Sequence, residues 1–442
     1  MLLLLLSLGI STVEIHGQET GQTKEAKRDL TELSLEDLMT VKVDTVYGAS
    51  KFQQKVTEAP SSVTIITADQ IEKYGYRTLS DVLQSVPGFY VTNDRNYSYV
   101  GMDGISRPTD YNTHLLIMID GHRVNDNVFN GAYVGTESLI DVDLIQRVEI
   151  IRGPGSSLYG TNAFLGVINI ITKQGRDLKG AEVSADAGSL QTYRGRATYG
   201  QQYASGLEVL LSGTYYDTKG NRQLFFPEFN SPSTNNGIAQ DVDTEQFHSI
   251  FLSANYRDFT LHAGYVSREK HIPTASFGTV FGDRQTETTD ARAYTDLQFH
   301  HVVGDGWELN ARGYYDWYGY DGTYTYDYSG AGILPFTENQ DHFRGDWWGV
   351  DFSASRRLAK HHRLTLGTEE TLNINQLITN YDKTPYFSYL YDQRSSIQSS
   401  VYFQDEFAIR KNLLLSAGLR YDRYSTSRAL GFSWTPNCDE NE

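Results

Sequence analysis

The sequence predicts a transmembrane antiparallel β-barrel, incomplete at about 11–12 strands, preceded by a compact mixed α/β domain of about 120 residues. Three observations predict it. From Gly180 onward, apolar and polar residues alternate in runs of about 9–11 residues, the length of a tilted strand crossing a bilayer. Short connections alternate with long ones. The 442 residues include 31 Tyr and 20 Phe beside only 4 Met, which suits a wall with aromatic girdles. No apolar run approaches 18 residues, which excludes a helical membrane protein but not a barrel, whose strands hide their lipid face by alternation. A net charge of -17 offers no basic surface and argues against nucleic-acid binding. A single Cys, Cys438, excludes a disulfide scaffold and a Cys-based zinc site.

The elements follow in chain order. Residues 1–17 have the form of an export signal peptide: Met1 to Ile10 is nearly all Leu and too short to span a bilayer. No Lys or Arg precedes this run, and Ile15-His16-Gly17 is a poor small-x-small cleavage site. A start site placed too far downstream accounts for the missing charges. A buried Leu-rich strand or helix is the alternative. Residues 18–55 are polar, with one amphipathic stretch from Leu30 to Met39, and read as a flexible lead-in. Residues 56–175 hold a strand at Val63–Ile66, a capping box at Thr67-Ala68-Asp69-Gln70 and a second helix start at Thr78. Leu79, Val82, Leu83 and Val86 give that second helix one apolar face, and Pro87-Gly88 stops it. Short strands follow at 115–119, 148–151 and 167–171, each bounded by Gly or Pro.

The barrel is assigned to residues 180–436. Leu207, Val209, Leu211 and Tyr215 alternate with Glu208, Ser212 and Thr214, and similar runs recur to Leu413–Leu419. Asp405 is the worst exception, on the apolar side of Val401, Phe403 and Phe407. Short turns sit at 204–205, 257–258, 304–306, 360–361 and 411–412, and long segments at 217–244, 270–289, 320–342 and 376–394. A soluble sandwich or propeller, the alternative, has no reason to sort loop length by side, whereas a membrane barrel does. Eleven strands, or twelve with 430–435, are too few to close around a 120-residue domain, and an open edge is costly in lipid. Residues 437–442 form an acidic tail with no closing aromatic strand. A fragment or truncated reading frame is therefore expected.

Residues 56–173 carry a long ordered string. It includes Ala59-Pro60-Ser61-Ser62-Val63-Thr64-Ile65-Ile66-Thr67, Leu79-Ser80-Asp81-Val82-Leu83-Gln84-Ser85-Val86-Pro87-Gly88 and Ile119-Asp120-Gly121-His122-Arg123-Val124. The longest piece is Ile145-Gln146-Arg147-Val148-Glu149-Ile150-Ile151-Arg152-Gly153-Pro154-Gly155-Ser156-Ser157-Leu158-Tyr159-Gly160. This text resembles the plug domain of TonB-dependent outer-membrane receptors, and the alternating strands after it resemble the first half of their barrel. One departure is Asp103-Gly104, where the family usually has Arg-Gly.

The resemblance implies an exported protein of the Gram-negative outer membrane, with the plug inside the lumen. It implies an active transporter for a scarce ligand, a ferric siderophore first, with cobalamin or haem behind. It implies a TonB-type energy-coupling protein as partner, besides outer-membrane lipid. A passive porin-like or adhesive barrel is the alternative, and a soluble enzyme a distant third. Val41-Lys42-Val43-Asp44-Thr45-Val46 is β-branched and alternating, which suits capture by strand addition. Asp44-Thr45-Val46 also resembles the start of the family's TonB box, although Tyr47-Gly48 departs from it; a first plug strand is the alternative reading. Arg147, Glu149 and Arg152 are expected to pair with inward wall charges such as Glu208, Arg312 and Asp316, or with one another inside the plug. A plug so held could move without breaking an apolar core. Tyr320, Tyr324, Tyr326, Tyr328, Tyr386 and Tyr389 crowd two long loops and suit ligand capture or loop packing. No catalytic constellation, cofactor motif or metal site is expected. His300-His301 and His361-His362 are adjacent pairs whose rings point to opposite faces of a strand.

Overall fold

The computed structural model describes residues 62–106, 109–153, 155–304, 306–330, 336–359, 361–410 and 413–427, together with β1 (Thr45–Val46) and β2 (Gln54–Lys55). The export signal, residues 41–44 of the coupling segment, the candidate strand 430–435 and the acidic tail lie outside the described residues. β1 and β2 pair antiparallel with one another and belong to no larger sheet.

The plug is a five-stranded mixed sheet with helices at Ala68–Tyr74 and Leu79–Gln84 and a single helical turn at Ser156–Tyr159. Its strands are β3 (Ser62–Thr67), β6 (Leu115–Ile119), β7 (His122–Arg123), β8 (Ile145–Arg152) and β9 (Gly166–Thr172), in the order β3-β8-β9-β6-β7. A separate hairpin of β4 (Phe89–Asn93) and β5 (Ser98–Met102) lies between. Both expected capping boxes form. The Thr67 hydroxyl accepts from Gln70 N at 3.3 Å, and the Gln70 side chain accepts from Thr67 N at 2.9 Å. Thr78 and Asp81 do the same for helix Leu79–Gln84, at 3.3 and 3.0 Å. That helix buries Leu79, Val82 and Leu83. All five residues of β6 are buried, as a central strand packed on both faces requires.

The wall is one antiparallel sheet in which every strand pairs with its neighbour in the chain. It runs through β10 (Gly180–Gly188), β11 (Thr192–Gln202), β12 (Glu208–Thr218), β15 (Glu245–Tyr256), β16 (Phe259–His271), β17 (Glu287–Val303), β18 (Trp307–Tyr326), β19 (Thr337–Leu358), β20 (His362–Lys383), β21 (Tyr386–Arg410) and β22 (Leu413–Ser427). A small hairpin, β13 (Gln223–Phe225) with β14 (Ile238–Gln240), occupies the connection between β12 and β15. The alternation is realised: Leu211 and Val350 are 48% and 57% exposed on the outer face, while Ser212, Ser253 and Asp316 are buried on the inner one. No described helix is long and apolar enough to cross a membrane, which says nothing of strands.

The ladder corrects two of the four long loops. Segments 320–342 and 376–394 are mostly strand: β18 continues to Tyr326, β19 starts at Thr337, and only Thr384 and Pro385 separate β20 from β21. Their Tyr, Thr and Asn alternate on two paired strands, so β-prone side chains and a satisfied ladder carry the sheet onward. Asp405 also finds its reason. Near the short turn after Arg410, its carboxylate takes the His362 Nδ1 at 2.8 Å, and that ring stacks on Phe407 at 4.4 Å.

Four cross-strand pairs set a tyrosine ring over a glycine: Tyr90 on Gly101, Tyr294 on Gly264, Tyr314 on Gly349 and Tyr402 on Gly367. At each glycine an added Cβ would fall inside the ring. The ring covers the bare backbone and fixes register. Gly349→Ala should therefore expel Tyr314 and cost about 1–3 kcal/mol. Gly313→Ala, one residue away with open space at its Cβ, should be near neutral. Thermal unfolding in detergent compares the two, and equal losses would remove the ring-over-glycine account.

Candidate functional site

Among the described residues, polar contacts join the plug to the inner face of the wall at several places, and the wall supplies most of the cations. At the Asp120-Gly121 turn, Asp120 and Gly121 take positive φ of 48° and 78°, as a two-residue hairpin turn requires. Their carbonyls accept from Arg312, which is 3.0 Å from Asp120 O and also pairs with Asp296 at 3.2 Å. Next to them, His122 Nε2 lies 3.1 Å from Asp316 Oδ1, both fully buried, with the imidazole stacked on Tyr294 at 4.7 Å.

The second place is the β4–β5 turn. Arg268 of β16 donates to Asn96 O at 2.7 Å and Asn96 Oδ1 at 3.0 Å. The same guanidinium holds Glu245 at 2.8 Å and Asp290 at 3.4 Å, with Glu137 of the plug at 3.9 Å. Tyr97 donates its hydroxyl to Asp290 at 3.0 Å. Burial pushes the Glu137 carboxyl up, against the pull of Arg268.

At the third place, Asp141 pairs with Arg194 and accepts from the Thr214 hydroxyl at 2.7 Å, while Asp143 lies 2.9 Å from Arg194. Burial works against ionisation of Asp141, yet Arg194 and Thr214 outweigh it and hold the carboxyl below its usual range. Fourth, Asn127 bonds Asn373 at 3.1 Å and accepts from Gln376. Fifth, Arg420 donates to Leu158 O at 3.0 Å.

These contacts correct the expected ion pairs. Arg147 pairs with Glu149 of its own strand at 2.8 Å, and Glu149 also accepts from Asn169. Arg152 reaches Thr64 at 3.4 Å. Of the named wall charges, Glu208 pairs with Arg176, just past the plug, while Arg312 and Asp316 do meet the plug, but at the Asp120–His122 turn. Strand β8 lies inside the plug sheet between β3 and β9, and its Arg147 and Glu149 satisfy each other there. An apolar seam is a second correction. Leu210, Phe251, Val266 and Tyr294 of the wall join the plug's own core, so its movement would also separate apolar contacts.

Above this seam an aromatic cluster joins plug and wall. The plug gives Tyr97, Tyr111, Phe129 and Tyr133; the wall gives Tyr318, Tyr320, Phe343 and Trp347. Tyr133 and Tyr318 hydroxyls lie 3.1 Å apart, and Phe129 meets Phe343 edge-on at 5.2 Å. Tyr320 stacks on Phe343 at 4.8 Å, and its hydroxyl lies 2.5 Å from that of Tyr324. The buried Arg292 guanidinium lies 5.8 Å from Tyr318 and 5.4 Å from Trp347, within cation–π range. Burial keeps the phenols neutral, pushing Tyr111 up to about 12 and Tyr97 and Tyr133 well above the usual range.

The expected loop tyrosines therefore divide. Tyr320 and Tyr324 are buried on β18 against the plug side. Tyr326 stacks on Tyr328 at 5.6 Å. Tyr328 and Tyr389 share Asp382, at 3.4 and 2.8 Å, and Tyr386 and Tyr389 are exposed on β21. The sequence reading missed Arg268, Asn96 and His122. Strand parity with His262 and Gly264 already placed Arg268 on the inner face.

Residues 55–167 match the family model described as TonB-dependent Receptor Plug Domain, and residues 242–437 match that of the TonB dependent receptor-like beta-barrel. This chain belongs to the TonB-dependent receptors. The vitamin B12 transporter BtuB of Vibrio vulnificus (strain CMCP6) is 32% identical to this TonB-dependent receptor over 176 residues, 40% of this chain and 28% of BtuB. The ferripyoverdine receptor of Pseudomonas aeruginosa superposes with a TM-score of 0.61 at 14% identity, over 88% of this chain and 56% of its own. The siderophore receptor PiuA of Acinetobacter baumannii gives 0.64 at 16% identity, over 87% and 60%. This receptor chain thus spans little more than half of those solved chains, and the likeness to them is one of fold.

Proposed function

We propose that this TonB-dependent receptor works in the outer membrane as an energy-coupled transporter for a scarce chelate, a ferric siderophore before cobalamin or haem. The observation that carries the reading is the aromatic cluster at the plug–wall junction. Flat, partly conjugated chelates suit tyrosine faces, and phenol hydroxyls add directional contacts at low entropy cost. A ligand resting on its half-buried rings, Tyr111, Phe129 and Tyr133 of the plug and Phe343 of the wall, touches both bodies at once. The names of relatives support the class: one is a cobalamin transporter, and others are siderophore receptors.

Transport against a gradient needs work, and a partner must supply it by gripping an extended segment. Residues 41–46 remain the proposed grip, with Val41, Val43, Asp44, Thr45 and Val46 recognised by strand addition. Thr45 and Val46 already take strand form, paired with Lys55 and Gln54 and outside the plug sheet. Proline removes the backbone donor. Val43→Pro or Val46→Pro should abolish accumulation of radiolabelled ferric siderophore or cyanocobalamin by cells, while surface binding of that ligand persists. Uptake that survives either change would favour a passive barrel or a different coupling segment.

A further inference from the structure

The outer face of the wall carries a cluster that the transport reading does not use. We propose that Glu269, His271 and Glu287 form a binding site for a divalent cation of zinc type on the outer rim of the wall. Strand pairing builds it. Glu269 and His271 are two residues apart on β16 and so share the outward face. Glu287 opens β17 directly opposite His271 in the ladder. One ligating atom from each lies within 4.8 Å of the others, and His271 Nε2 is 3.2 Å from Glu287 Oε2. Ligands around a tetrahedral zinc sit about 3.3 Å apart, so a side-chain rotation of Glu269 closes the set.

Two further observations point to a cation. First, His271 Nδ1 lies 3.0 Å from the Thr244 hydroxyl. With Nδ1–H donated there, Nε2 presents its lone pair to the carboxylates, the outer-shell arrangement that metal-binding histidines use. Second, neither Glu269 nor Glu287 has a Lys or Arg partner among the described residues. Other rim carboxylates do: Glu338 pairs with Lys383 at 3.0 Å, Asp392 with Arg394 at 2.8 Å and Asp243 with Lys270 at 2.7 Å. Two neighbouring carboxylates without a counter-charge repel across the ladder, and a divalent cation would offset that repulsion. One imidazole with two carboxylates, and no thiolate, selects zinc, nickel or copper(II) over calcium. All three groups are half-exposed, so a metal can enter from solvent. The sequence hid the site because its ligands come from two strands separated by the 272–286 connection.

The test is calorimetric titration of the full chain in detergent with zinc chloride alone, beside His271→Ala, Glu287→Gln and Thr244→Val. The expected result is one saturable site whose affinity falls at least tenfold in the first two and about tenfold in Thr244→Val. His342→Ala, which removes a second outward histidine paired with Asp321 at 2.7 Å, should leave that site intact. Zinc binding unchanged in His271→Ala would overturn the proposal, as would displacement of zinc by an equal concentration of calcium. Unaltered heat-modifiable migration of each variant would show that a lost site is not lost folding.

Discussion

Arg268→Met should destabilise the protein by about 3–5 kcal/mol, the range for breaking a buried ionic group by removing one partner. Arg268 is 2% exposed, and its guanidinium faces Glu245, Asp290 and Glu137 while holding both oxygens of Asn96. Methionine keeps the volume but leaves three carboxylates facing one another. Lys270, the nearest other cation on β16, is held by Asp243. The loss should also loosen the β4–β5 turn from the wall, since of its wall contacts among the described residues Asn96 would keep those with Thr288 at 3.2 and 3.3 Å. Denaturant unfolding in detergent reads the first effect, and sensitivity of cells to large antibiotics reads the second. Stability within about 1 kcal/mol of the parent would show that this ionic group does not anchor the plug. Asn96→Ala, which removes side-chain bonds but keeps the ionic core, should cost about 1 kcal/mol.

An arginine on the outward apolar face should be nearly as damaging. Leu211→Arg or Val350→Arg puts a charge into lipid and should cost about 2–4 kcal/mol at the midplane, read as loss of inserted, heat-modifiable protein. The inward control has to be chosen with care. Ser212 is buried and bonded to Thr198 at 2.7 Å, and a side chain at Gly264 would strike Tyr294. Asn310 lines a cavity of about 570 Å³ between plug and wall, with Arg147, His262 and Glu308 around it. Asn310→Arg should therefore insert normally, and equal damage from both faces would overturn the inward–outward assignment.

Much of this architecture is legible in the chain because it depends on local rules. Thr67 with Gln70, and Thr78 with Asp81, announce helix starts that the backbone then makes. The period of two along Leu207–Tyr215 fixes which side chains face out, and the ordered string from Ile145 to Gly160 marks the plug. What stayed hidden depends on which strand lies beside which group. Arg147 and Glu149 left wall partners and plug-internal partners both open, and two positions apart on one strand they reach each other. Tyr320 and Tyr324 read as loop residues because tyrosine and glycine are dense there, but continued pairing of β18 with β19 holds them in the sheet. The meeting of Asn96 with Arg268 joins residues 172 positions apart and leaves no local trace.

The place of β3 in the plug has a mechanical side. Among the described residues it is the edge strand of its sheet, bonded to β8 alone, and none of its six residues is fully buried. A pull on the chain ahead of Ser62 loads the outermost ladder rung, Ser62 with Arg152, before the one at Thr67 with Arg147. Rungs stressed in series give way in turn, each at low force, whereas rungs stressed together resist as a block. Releasing six residues lets the chain lengthen by up to about 20 Å while the four remaining strands keep their order. A load directed away from β8 would therefore peel β3 rung by rung from its single ladder, and the strand that such tension reaches first is the one at the sheet edge.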